Sequence, residues 1–203
     1  IQKDVAIYND DEQSKIIGLI NKLDTSRNFR DHRNSLILKF LLFHGVRIDE
    51  LINLKWPDVE EVYDEQEGYL YKFWYIGKGN KVRDLDFPIN FVEKNFEVIK
   101  HHVTSDFVVP GSTGKQSLRV SIYSGIKKLL NDLGIKEVWL HKFRHTFGKN
   151  KEVEGVNINT ISDLMGHSNI MITGKYYLKN NSKAKRSAIL KNLPEKSVVD
   201  TKK

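Results

Sequence analysis

Between Asp58 and Phe87 the hydrophobic period of this chain changes from helical spacing to strict alternation. Tyr69, Tyr71, Phe73 and Tyr75 alternate with Leu70, Lys72, Trp74 and Ile76, an aromatic-rich run that suits a pleated strand. Gly77-Lys78-Gly79-Asn80 has the composition of a tight turn, and Val82, Leu85 and Phe87 supply a return strand. On both sides of this stretch the apolar spacing is helical. The expected fold is therefore mainly α with a small antiparallel β-sheet, of the α+β class.

The helices have readable ends. Asn9 or Asp10 caps one that runs to about Leu23, and Asp31 a second. In that second helix Leu36, Ile37, Phe40, Leu41 and Phe43 are nearly continuous, the mark of burial, and Gly45 is its stop. Ile48–Leu54 reads as a short amphipathic helix ended by Trp56-Pro57. Further helices are expected over Asn90–His101, Ser117–Leu133 with Gly134 as its stop, Leu140–Val153, Thr160–Gly166, Ile170–Leu178 and Ser182–Leu193. Pro and Gly are too sparse for a long internal linker, so 203 residues read as one domain with a polar, loose tail from Pro194.

With no cysteine, disulfides and thiolate metal sites are excluded. No apolar run approaches a membrane span, and no secretory leader is recognisable, so a cytoplasmic protein is expected. The net charge of +7 is unevenly placed. From His141 to Lys203 there are 13 Lys/Arg against 5 Asp/Glu, whereas residues 1–140 carry 20 against 21. A basic field confined to the last third suits a polyanionic partner.

That third also holds most of the candidate chemistry. In LHKFRHTF, His141 and Arg144 lie three apart on one helix face while Leu140, Phe143 and Phe147 turn to the core. Two cationic donors displayed together can grip neighbouring oxygens of one phosphate. His145 falls off that face and reads as structural. His167 follows Gly166 in LMGHSN, at the junction where a helix ends, and Tyr176 and Tyr177 lie on the next helix. Upstream, Arg47 opens a helix in HGVRIDEL, with Glu50 one turn on, and Lys78 sits on the glycine-flanked hairpin tip. Taken singly each residue has an ordinary explanation. Together they make a cationic cluster around a phenol, which is what attack on a phosphodiester requires. The histidines lack the carboxylate or thiolate partners of a metal site, and no G-x-S-x-G elbow is present.

The phrases G-V-R-I-x-E-L, G-K-G-N-K-x-R, H-x-x-R-H-T-F and L-x-G-H-S occur in the order found in tyrosine recombinases. From about Tyr8 to Leu193 the chain resembles the catalytic domain of that integrase and Xer-like family. Asp49, Lys142-Phe143 and Gly148-Lys149-Asn150 depart from the common pattern without removing a chemical group.

The resemblance implies a site-specific recombinase acting on double-stranded DNA without metal, ATP or other cofactor. Tyr176 is the implied nucleophile, forming a 3′-phosphotyrosyl link and expelling a 5′-hydroxyl. Tyr177 is the alternative, because some phage-type relatives carry one more residue between the histidine and the tyrosine; the two phenols point about 100° apart, so only one can face the phosphate. Arg47, Arg144 and His167 would hold the non-bridging oxygens, and Lys78 would protonate the leaving oxygen. His141 would assist proton transfer or hold the phosphate, and Glu50 would orient Arg47 from behind.

The resemblance also implies a layout and an assembly. Residues 1–8 would end an interdomain linker, 9–193 form the catalytic domain and 194–203 a flexible tail. An N-terminal core-binding domain has no counterpart in the chain. The helix at 182–193 would dock into a neighbour within a homo-tetramer on two DNA sites, in the nucleoid, with a dimer or monomer off DNA. Two other functions fit the same residues: a DNA-binding regulator that does not cut, and a topoisomerase-like or telomere-resolving enzyme.

Overall fold

The first helix, α1 (Asp10–Asp24), begins where its side chains can satisfy the free backbone donors. Asn9 Oδ1 accepts from the Glu12 N–H at 2.9 Å, and Glu12 Oε2 accepts from the Asn9 N–H at 3.0 Å. Residues 6–77 and 82–166 are described in this computed structural model. The second helix, α2 (Phe29–Lys39), is capped by Asn28 rather than Asp31. Asn28 Oδ1 accepts from the Arg30 N–H at 2.8 Å, which leaves Asp31 in the first turn to take the Ser26 hydroxyl at 2.6 Å. An acidic group there still faces the positive end of the helix.

From Phe40 to His44, α2 loosens into a π-helical turn and stops at Gly45. A wide turn of this kind re-aims the next stretch of chain, and here that stretch carries Arg47. Gly45 has φ 58°, and a Cβ on it would lie 2.5 Å from Cδ1 of Phe147. Left-handed backbone and close approach both demand glycine. Gly45→Ala is expected to lose about 3 kcal/mol, roughly 10 °C in a thermal melt, by adding backbone strain to overpacking. A melting temperature unchanged within error would refute this account.

The remaining elements are α3 (Ile48–Asn53), β1 (Val59–Asp64), β2 (Gly68–Ile76), β3 (Val82–Pro88), α4 (Ile89–His102), α5 (Arg119–Asp132), α6 (Leu140–Val153) and α7 (Ile158–Leu164). A one-turn 3-10 helix, Trp56–Asp58, leads into the sheet. The three strands are antiparallel in the order β1-β2-β3, with Phe73 opposite both Val59 and Leu85. Phe73 and Tyr75 are buried while Trp74 and Ile76 face out, as alternation requires. The expected helices at Ile170–Leu178 and Ser182–Leu193 lie outside the described residues, as does the tail.

One core joins helices and sheet. Phe40 packs edge-on to Phe73 at 5.0 Å, Phe73 lies 6.2 Å from Phe96, and Leu36, Leu41 and Phe143 fill in around them. A smaller cluster of Phe147, Ile161 and Met165 seats α7 on α6. Ahead of α1, the Tyr8 N–H donates to Thr146 Oγ1 at 2.9 Å and the Tyr8 ring sits beside Phe143. The chain ahead of α1 is thereby pinned to α6.

Candidate active site

The end of α7 organises the site. A helix leaves its last carbonyls without intrahelical donors and with partial negative charge. Three arginines from three different elements fill that deficit here. Arg83 of β3 donates from Nη1 to the Leu164 carbonyl, and Arg144 of α6 donates from Nη2 to the Met165 carbonyl. Arg47, at the start of α3, donates from Nη2 to the Gly166 carbonyl at 3.3 Å. Successive carbonyls thus collect β3, α6 and α3 at one point. His167 is the next residue in sequence.

Arg144 is 3% exposed, and its Nη1 also donates to the Gly45 carbonyl at 2.6 Å. One guanidinium therefore ties the turn before Arg47 to the turn before His167. Arg47 remains partly exposed. Its Nη1 donates to Glu50 Oε1 at 2.9 Å, and its backbone N–H donates to Glu50 Oε2 at 2.8 Å. Glu50 is nearly buried, and burial alone would raise its pKa. The Arg83 guanidinium, then the Arg47 N–H and charge, outweigh this and hold the carboxyl below its usual range. Glu50 is a fixed anion behind Arg47.

His141 stands on the exposed face of α6. Partial desolvation lowers its pKa first, and the positive charges of Arg144, Arg47 and Arg119 lower it further. The ring is neutral at pH 7, so it can give or take one proton. Arg119 of α5 reaches Asp49 of α3 at 3.2 Å on the open rim. Asp49 also draws the His141 pKa the other way.

Arg47 and Arg144, two residues expected at the site, therefore meet at one helix end, with Glu50 against Arg47 and His141 near enough to feel the charge of both arginines. Lys78, His167, Tyr176 and Tyr177 lie outside the described residues. Arg83 was not singled out from sequence beyond closing the phrase G-K-G-N-K-V-R. That phrase was the available signal, since it fixes an arginine at a set distance past the turn. Lys142, a departure from the common pattern, is buried. Its ammonium stands 4.3 Å from the Tyr8 ring centre and 3.5 Å from Glu12. Among the described residues no group of three or more acidic or histidine side chains is placed to hold a metal ion.

A family model described as the phage integrase family matches residues 9–183. The chain belongs to the phage integrase family. Within it, the chain is 29% identical over 189 residues to tyrosine recombinase XerC of Staphylococcus aureus, covering 87% of this chain and 58% of that protein. It spans little more than half the length of such relatives. The fold matches the XerH site-specific recombinase bound to difH substrate, with a TM-score of 0.75 at 20% identity over 95% of this chain and 56% of that one. It also matches the catalytic domain of bacteriophage HP1 integrase, with a TM-score of 0.58 at 22% identity over 93% of this chain and 96% of that one. The helices and three-stranded sheet match the fold of that catalytic domain.

Proposed function

We propose that the chain is the catalytic part of a site-specific DNA recombinase that cuts and rejoins strands through a 3′-phosphotyrosyl intermediate. The observation that carries this reading is the meeting of Arg47 and Arg144 at the end of α7, with Glu50 fixed behind Arg47 and His141 within the field of both arginines. Two guanidiniums side by side supply fixed positive charge for the oxygens of a phosphate whose charge grows in the transition state. The XerH structure is a complex with its difH substrate, and Tn1549 integrase, a neighbour of similar fold, is in complex with transposon DNA. Double-stranded DNA as the partner here is supported by that likeness and by the basic surplus after residue 140.

In this reading the Tyr176 phenolate attacks phosphorus, the bond to the 5′-oxygen breaks, and Lys78 supplies the proton that oxygen needs. His167 joins Arg47 and Arg144 on the non-bridging oxygens, and neutral His141 handles the phenol proton. The phosphotyrosine keeps the phosphoester link, so an incoming 5′-hydroxyl reverses the step. Residues 9–193 form the catalytic unit, preceded by a linker and a DNA-clamping domain. The segment 182–193 docks into a neighbour, so that four copies act on two duplexes in the cytoplasm, on the nucleoid.

Covalent trapping on nicked suicide duplexes tests this. An SDS-resistant adduct on the 3′ side, mapped by peptide mass to Tyr176, is the expected result. An adduct at Tyr177 keeps the reaction and replaces the nucleophile. Tight binding without any adduct overturns the reading in favour of a DNA-binding regulator.

A further inference from the structure

Arg83 has no part in that chemistry, yet it touches the supports on which Arg47 and Arg144 rest. From β3 its Nη2 meets Glu50 Oε2 at 2.6 Å, and its Nη1 donates to the Leu164 carbonyl. Its side chain is only 10% exposed, and the guanidinium carbon lies 5.2 Å from the centre of the Tyr75 ring. Space for it is made by Gly166, which has φ 59°. A Cβ there would stand 2.8 Å from Arg83 Nε. The turn that leads to His167 is thus shaped around the Arg83 side chain.

The bonding pattern gives Arg83 a directional task. Glu50 Oε2 accepts from both Arg83 Nη2 and the Arg47 N–H, which leaves Oε1 for Arg47 Nη1. Arg83 therefore holds the far oxygen of the carboxylate that aims Arg47. At the same time it anchors the first of the three carbonyls whose successors receive Arg144 and Arg47. A guanidinium is a rigid fork and serves both acceptors at once. An ammonium is a point charge on a flexible stem and cannot reproduce that fork.

We propose that Arg83 is the positioning residue of the phosphate clamp, setting Arg47 through Glu50 and setting Arg144 and Arg47 through the end of α7. The proposal rests on the recombinase reading. Arg83 contacts no substrate, and its effect appears where the clamp acts, on the charge of the scissile phosphate.

A duplex in which one non-bridging oxygen of the scissile phosphate is replaced by methyl carries no charge there, so it has little need of a clamp. On an ordinary suicide duplex, Arg83→Gln is expected to slow single-turnover cleavage roughly 100-fold at saturation. On the methylphosphonate duplex the same variant is expected within about three-fold of the parent rate. Arg83→Lys is expected to behave like the glutamine variant. Equal slowing on both duplexes, or a parental rate for either variant on the ordinary duplex, overturns the proposal.

Binding provides a readout that needs no cleavage. The parent is expected to prefer the charged duplex over the methylphosphonate, and Arg83→Gln to lose that preference. If the parent binds both duplexes but forms no adduct, the recombinase reading fails. The preference then decides Arg83 alone: retained in the variant, it sinks the proposal.

Discussion

Arg144→Ala is expected to lower single-turnover cleavage roughly 1,000-fold, the range seen when a preorganised donor to developing oxyanion charge is removed. The same change should destabilise the domain by about 3 kcal/mol, because it strands the Gly45 and Met165 carbonyls in a buried cavity. The two effects separate by temperature. Cleavage is measured at 15 °C, where circular dichroism verifies that the variant is folded, and stability by urea titration. A folded variant that cleaves within ten-fold of the parent would remove Arg144 from the clamp. Unchanged stability would instead contradict its role as the tie between the turns before Arg47 and His167.

The second large effect is on acid stability, and it comes from His44 at the end of the π-turn. Its ring lies flat on Phe87 with centroids 3.5 Å apart, and Nε2 faces the Asp86 carbonyl at 2.9 Å. A carbonyl only accepts, so Nε2 carries the proton and Nδ1 accepts from the Tyr75 hydroxyl at 3.4 Å. Burial, with the nearby Arg83 charge adding to it, pushes the His44 pKa down to about 3 against the Asp86 hydrogen bond. The unfolded chain binds this proton near pH 6.5, so between about 3 and 6.5 the unfolded state holds more protons than the folded one. The stabilisation is complete above pH 6.5 and drains away as pH falls through that window. Over the whole window it is on the order of 5 kcal/mol, of which about 2 kcal/mol should go between pH 6.5 and 5. Comparing urea-unfolding free energies of the parent and His44→Asn at those two pH values isolates the contribution from the carboxylates that titrate lower. Parallel pH dependences would show that His44 is not the group responsible.

Much of the architecture was legible in the chain because burial and capping leave local marks. Leu140–Val153 has the same bounds in sequence and structure, and Gly45 stops its helix as read. β2 and β3 followed from alternation. β1 was not named as a strand because Val59–Asp64 is an acidic edge with few buried positions, so no hydrophobic period announces it. The π-turn was invisible for a different reason. It depends on where Gly45 must meet Phe147, about a hundred residues away, and local propensity carries no such distance.

The site divides the same way. Arg47, Glu50, His141 and Arg144 could be named as candidates because side-chain type and order carry information. What brings them together is largely main chain. The carbonyls of Gly45, Leu164, Met165 and Gly166 exist at every residue of any protein, so no residue type marks them as acceptors. Arg83 went unassigned because its partners are one such carbonyl and a glutamate already matched to Arg47. Lys142 looked like an aberration in its motif until Tyr8 and Glu12 supplied its surroundings.

Guanidiniums anchored to main-chain oxygens and to a buried carboxylate are not free to swing after a phosphate that arrives out of place. Each has surrendered its rotamer freedom, of order 2 kcal/mol, during folding and not at the moment of encounter. On the recombinase reading, the backbone of the DNA would have to come to the protein, and an offset of an ångström would be met with slow chemistry instead of adjustment. Selectivity in such a site is kinetic. Many duplexes would be held, and few would turn over.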